Sequence, residues 1–212
     1  MNREIIETLI YKGLEIETAR DDDSESPDKW EDDGVFLVAF HRDFSVEREG
    51  YSKGLVSSIF NNGRYEDDSI NYEAREVMKK YHIFGLEAYI HSGVTLALSK
   101  EGNFVDRQWD VSQLGCVFIV KKETKTRPKA RKLARCLINT WNEYLHGEVY
   151  GYNSDAGGCW GFYGEEGYKQ MIDEAKSEID SYVADKLSKH NKQLKAQIKR
   201  GVPIDKRQAF TL

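Results

Sequence analysis

Residues 82–98 read His-Ile-Phe-Gly-Leu-Glu-Ala-Tyr-Ile-His-Ser-Gly-Val-Thr-Leu-Ala-Leu. Two strand-like runs flank Ser92-Gly93, so the chain is expected to turn back here as a hairpin or a bent strand. Just upstream, Ser69 is placed to cap a helix through about Tyr81, with Ile70, Ala74, Val77 and Met78 near one face. Just downstream, Cys116 to Val120 is the unbroken apolar run of a buried strand. Pro128 then suits the first turn of a helix from about Lys129 to Leu145, and Gly147 suits its end. Leu133, Leu137, Trp141 and Tyr144 lie near one stripe of that helix, which is expected to dock on a sheet.

The flanking sequence extends this pattern. Val35 to Phe40 has strand length and delivers His41-Arg42 at its end, while residues 43–68 are loop-rich around a short apolar piece, Leu55 to Phe60. Residues 3–19 suggest two short strands, or one bent strand ending at Leu14-Glu15-Ile16. Glu148 to Tyr152 and Cys159 to Tyr163 suggest two more around a turn at Asn153 to Gly158. Short turns between strands, with helices interspersed, predict an α+β fold: a mostly antiparallel sheet, two or three packed helices and a long C-terminal helix. That last helix is expected from Glu165 to about Gly201, because Met171, Ala175, Ile179, Val183, Leu187, Leu194 and Ile198 recur at steps of four and seven. The expected division is a core over residues 1–164 and a helix with a basic arm over residues 165–212.

Hydrophobic residues make up 40% of the 212, enough to build a core, and no apolar run approaches the roughly 20 residues needed to cross a bilayer. The net charge of −5 argues against nucleic-acid binding over the whole surface. Cys116, Cys136 and Cys159 are odd in number and include no Cys-x-x-Cys pair, which fits a reducing compartment. A cytoplasmic protein without membrane attachment is expected.

Charge is distributed in blocks. Residues 15–34 hold ten acids, Asp21, Asp22, Asp23, Asp32 and Asp33 among them, against Arg20 and Lys29. This segment is expected to lie outside the core, as a solvated loop, a surface for a protein partner or an oxygen-ligand metal site, although an EF-hand spacing is missing. Lys121 to Arg135 carries eight cations, including Lys129, Arg131 and Lys132, against Glu123. Residues 186–207 carry eight, including Lys192, Lys195 and Lys199, against Asp205. Either block suits phosphates, the acidic segment of the same chain or that of a twin subunit, and the helix suits an arm or a homo-oligomer contact.

Chemistry-bearing residues sit at expected strand ends. His41 and His91 would reach Asp110 if their strands are neighbours, as acid, base or metal ligand. Trp109-Asp110 and Cys159-Trp160-Gly161-Phe162-Tyr163-Gly164 place aromatics beside small residues, as in a ligand pocket, a stacking platform or ordinary packing. No Gly-rich phosphate loop, G-x-S-x-G elbow or H-E-x-x-H helix is present, so neither a cofactor nor a reaction is indicated.

The order of these motifs over residues 14–168 resembles a family of small tailed-phage proteins with no established activity. The shared features are Pro27 to Gly34, His41-Arg42, His91-Ser92-Gly93, Trp109-Asp110 through Gln113 and Gly115, Val117 to Val120, and Gly147 to Tyr152 with the Cys-Trp-Gly-Phe-Tyr-Gly run. This chain has Ile90 where the family carries an aspartate, Asp32-Asp33-Gly34 in place of Asn-Leu-Gly, and Phe44 in place of tyrosine. The resemblance implies an accessory protein that binds a host or defence component, such as an inhibitor of a bacterial defence system, for which the acidic loop and the basic arm are the expected interaction surfaces; His41, Arg42, His91, Ser92, Trp109, Asp110 and Trp160 are candidates for ligand or partner contact. A small enzyme or nucleotide- or metal-binding protein built around His41, His91 and Asp110, and a nucleic-acid-binding protein using the basic segments, stand as alternatives.

Overall fold

A computed structural model of the protein describes residues 4–30, 34–61, 67–104 and 110–211. Strands β1 (Ile5–Tyr11) and β2 (Leu14–Arg20) form an antiparallel hairpin with Tyr11 paired to Leu14. Its two-residue turn needs positive φ at both positions, which Lys12 and Gly13 adopt at 50° and 82°. The strand reaches further into the acidic segment than expected. Glu15 and Glu17 alternate with Ile16 and Thr18, both fully buried, so these two acids occupy the outward face of a core strand and only the residues after Asp21 leave the sheet.

The chain then builds a second sheet with helices on both faces. Its elements are β3 (Val35–His41), β4 (Phe44–Val46), α1 (Lys53–Phe60), α2 (Asp68–Lys80), β5 (Tyr81–Ile90), β6 (Val94–Leu98), β7 (Val111–Val120) and α3 (Arg127–Leu145). The strand order is β4-β3-β7-β5-β6, antiparallel throughout. Central β7 is covered on both sides, so Cys116 to Ile119 are fully buried and read as a continuous apolar run.

Against one face α3 packs Ala130, Ala134, Leu137, Ile138 and Trp141 onto Leu37, Leu86, Val117 and Ile119. Leu133, expected on that stripe, is exposed, because the alanines at 130 and 134 take the contact and bring the helix close. Against the other face, α1 and α2 cover Phe36, Val38 and Phe118. The apolar piece at 55–60 is therefore a helix rather than loop, capped by the Ser52 hydroxyl, which accepts the Leu55 N–H at 3.1 Å. Helix α2 starts one residue before Ser69, and the Asp67 carboxylate accepts the Ser69 N–H at 2.8 Å.

Strands β8 (Val149–Ser154) and β9 (Gly157–Tyr163) return to the first hairpin, giving an antiparallel sheet of order β1-β2-β8-β9. Helix α4 (Gly164–Lys199) lies on one face, with Met171, Ala175 and Ile179 fully buried against Leu14, Ile16, Tyr152 and Phe162. The chain is thus an α+β protein with four α-helices among its described residues and two antiparallel sheets. None of those helices is long and apolar enough to cross a membrane.

The two compact units comprise residues 1–24 with 147–212, and residues 25–146. This partition differs from a boundary at 164. The start of α4 packs on β8 and β9, so helix and strands share one core, and the second unit is inserted between β2 and β8.

Candidate functional site

Antiparallel pairing determines which expected site residues meet. Ala39 of β3 pairs with Gly115 of β7, and Tyr89 of β5 pairs with Val111, so His41, His91 and Asp110 all lie toward one end of the five-stranded sheet. The histidines nevertheless face opposite ways. His41 is two residues from Ala39 and four from Leu37, and so shares their α3 face. His91 stacks on Tyr89, ring centroids 6.2 Å apart, and Tyr89 alternates with Ala88 and Ile90, which pack toward α3. A shared acid–base or metal site on His41 and His91 therefore has no common face.

Each is occupied locally. The His41 imidazole Nδ1 accepts the Asp43 N–H at 3.2 Å, and Arg42 pairs with the Asp43 carboxylate at 3.1 Å. The His91 N–H donates to the Gly93 carbonyl at 3.2 Å, closing the turn that carries exposed Ser92. Trp109 lies outside the described residues. Trp160 belongs to the other unit, where its ring covers Gly151 so closely that a Cβ there would come within 2.1 Å of it. Its position serves packing on the outer side of the four-stranded sheet. Among the described residues, no group of three or more His, Cys, Asp or Glu side chains could hold a metal ion.

The acidic segment is not one solvated surface. Asp21 is buried, and its N–H continues the β2–β8 ladder by donating to the Val149 carbonyl at 2.8 Å. Asp22 and Asp23 are exposed, and Asp28 holds Ser26 and Lys29 in a short turn. Asp32 and Asp33 lie outside the described residues. In the first basic segment, Arg131 and Arg135 both pair with Glu101, at 3.1 and 2.8 Å, whereas Lys129 and Lys132 are exposed.

A groove of about 530 Å³ on the α1/α2 face went unread in the sequence. Strand β6 pairs with β5 only from Leu86 onward, leaving the start of β5 as a sheet edge. Three basic side chains gather there. Arg127 donates to the Ile83 carbonyl at 3.2 Å with its guanidinium 4.7 Å from the Phe84 ring centre. Lys121 donates to the Met78 carbonyl at 2.6 Å, and the His82 Nε2 lies 2.9 Å from the Thr124 carbonyl. Ile83 forms the open floor, with Ile59, Phe60 and Met78 as walls, while the Ser99 and Gln113 side chains lie over Gly85. Cys116 is fully buried beneath, and burial pushes its thiol up to about 12, so it is neutral and inert. The alternation of Tyr81, Ile83 and Gly85 marked one strand face, but only the placement of α1 and α2 shows how much of it stays uncovered.

The other prominent surface is the outer half of α4. Beyond Ile179 the apolar positions wind round the helix through half-buried Val183 to Leu187, Leu194 and Ile198, which lie about 60–100° from Ile179 at 100° per residue, with Leu187 and Ile198 45% and 50% exposed. These three positions fall within about 40° of one another at 100° per residue. Lys192, Lys195 and Lys199 are exposed among them, and Lys189 pairs with Asp185 at 2.6 Å. The helix ends as the Val202 N–H donates to the Gln197 carbonyl, after which the tail folds back and sets Phe210 against His190 at 5.4 Å. Comparison of the chain with models of known protein families, with curated proteins and with solved structures finds no match.

Proposed function

We propose that this chain is an accessory binding protein that inserts the outer half of α4 into an apolar, acid-rimmed groove on a partner protein. One observation carries the reading: past the half of α4 that is sealed onto its sheet, Leu187, Leu194 and Ile198 form a separate apolar strip, exposed at Leu187 and Ile198, within a segment of eight cations and one acid. Leu187, Leu194 and Ile198 at helical spacing supply the anchors such a groove accepts, and the flanking lysines supply the electrostatic match. The tailed-phage resemblance makes a host or defence component the class of partner. Pairing of two arms in a homo-oligomer is disfavoured, since each brings a charge of +7 over residues 186–207.

Capture from bacterial lysate should return one partner with the native chain and lose it at least tenfold with L187D/I198D. K192Q/K195Q/K199Q should weaken the same capture mainly at low salt. An identical set of captured proteins with and without L187D/I198D would overturn the reading. Nucleic-acid binding needs the cations but not the leucines, so duplex DNA binding lost in the lysine variant yet intact in L187D/I198D would replace the protein partner with a phosphate backbone.

A further inference from the structure

We propose that the groove at the free edge of β5 binds a small organic anion with a flat aromatic body, its phosphate or carboxylate at Lys121 and Arg127, beside His82. The volume of about 530 Å³ lies within the range that holds a small ligand. Among the described residues lining it none is acidic, while Lys121 and Arg127 are cationic. The contacts of these groups to backbone carbonyls hold them at the rim and still leave donors for a ligand. Lys121 spends one of three ammonium N–H groups on the Met78 carbonyl, and Arg127 has further guanidinium N–H groups besides the one given to Ile83. His82 donates its Nε2–H to the Thr124 carbonyl, so in the neutral ring Nδ1 is an acceptor and His82 lines the rim without supplying a donor to the anion.

The groove also selects the body of the ligand. Ile83 is the open part of the floor, bounded by the Ser99 and Gln113 side chains over Gly85, and Phe60 and Met78 stand as walls. A planar ring fits between these apolar walls with its anionic substituent toward the basic rim. An inorganic anion would leave the apolar floor unused, and a neutral aromatic would leave the cations unmatched. The site is independent of the α4 surface and requires no partner protein.

Titration of the full-length chain with 1-naphthyl phosphate, 2-naphthoate and adenosine 5′-monophosphate, followed by calorimetry, tests this. At least one aromatic anion should bind with one-to-one stoichiometry, at least tenfold more tightly than inorganic phosphate or 2-naphthalenemethanol. K121Q/R127Q should weaken it at least tenfold, whereas K129Q/K132Q, with the same loss of charge outside the groove, should not. Equal weakening by both pairs, unchanged binding in K121Q/R127Q, or no aromatic anion binding below millimolar concentration would overturn the site. Should K121Q/R127Q fail to fold, NMR of the native chain decides: 1-naphthyl phosphate should shift the His82 ring and Met78 methyl signals, and their constancy would equally refute it. Loss of partner capture in the α4 variants leaves all of these outcomes untouched.

Discussion

Cys116 shows how a single side chain can carry two consequences of burial. Its thiol faces the α1/α2 core with no exposed surface, and burial holds it protonated up to about pH 12. The unfolded chain loses that proton near pH 9, so between pH 9 and 12 the folded state binds more protons than the unfolded one and stability must fall as pH rises. Cys116 alone should remove about 2 kcal/mol between pH 8 and pH 10.5. Urea denaturation at both pH values checks this, and C116V should lessen the loss; a slope unchanged by that substitution would contradict the assignment. Tyr152, its hydroxyl held above its usual value by burial and by donation to Glu178 at 2.8 Å, adds to the loss at higher pH. In the native state a thiol reagent at pH 8 should modify exposed Cys136 readily and leave Cys116 unmodified. These properties follow from neighbours that the isolated motif Gly115-Cys116-Val117 does not reveal.

Helix α4 contains two environments along one pattern. Its 36 residues span about 54 Å at 1.5 Å per residue, and only the part through Ile179 has fully buried side chains. Met171→Ala should destabilise the protein by about 2–5 kcal/mol through a cavity against the sheet. Leu187→Ala, about 160° round the helix from Met171 and 45% exposed, should change stability by about 0.5 kcal/mol or less, both measured by denaturant unfolding. Similar losses at the two positions would mean that Leu187 is covered. At the start of α1, Ser52→Ala removes the acceptor for the Leu55 N–H and should cost about 1 kcal/mol by the same measurement. The repeat of four and seven residues in α4 was plain in the sequence; the point at which a sheet stops covering it was not, since that depends on where β1, β2, β8 and β9 end in space.

For the molecule as a whole, the insertion of residues 25–146 between β2 and β8 carries its own prediction. This continuous segment has a five-stranded sheet with a core on each face, so as an isolated fragment it should fold, giving a dispersed amide NMR spectrum and a cooperative melt. A collapsed spectrum without cooperative melting would show that it depends on the rest of the chain. The other unit draws β1 and β2 from one side of the insertion and β8, β9 and α4 from the other, so neither flank alone contains its sheet.

Local features sufficed for the antiparallel α+β class, the hairpin at Ser92-Gly93, the strand Cys116 to Val120 and the helices near 69–81, 129–145 and 165–200, because period, caps and turn residues act over a few neighbours. Charge counts likewise marked the basic arm. What required the folded chain were relations between distant residues: β2 and β8 joining across the inserted residues 25–146, His41 and His91 turning to opposite faces, Asp21 becoming buried, and Lys121, Arg127 and His82 converging at an open strand edge. A strand's alternation says that it has two faces, but pairing register and helix placement determine what each face meets.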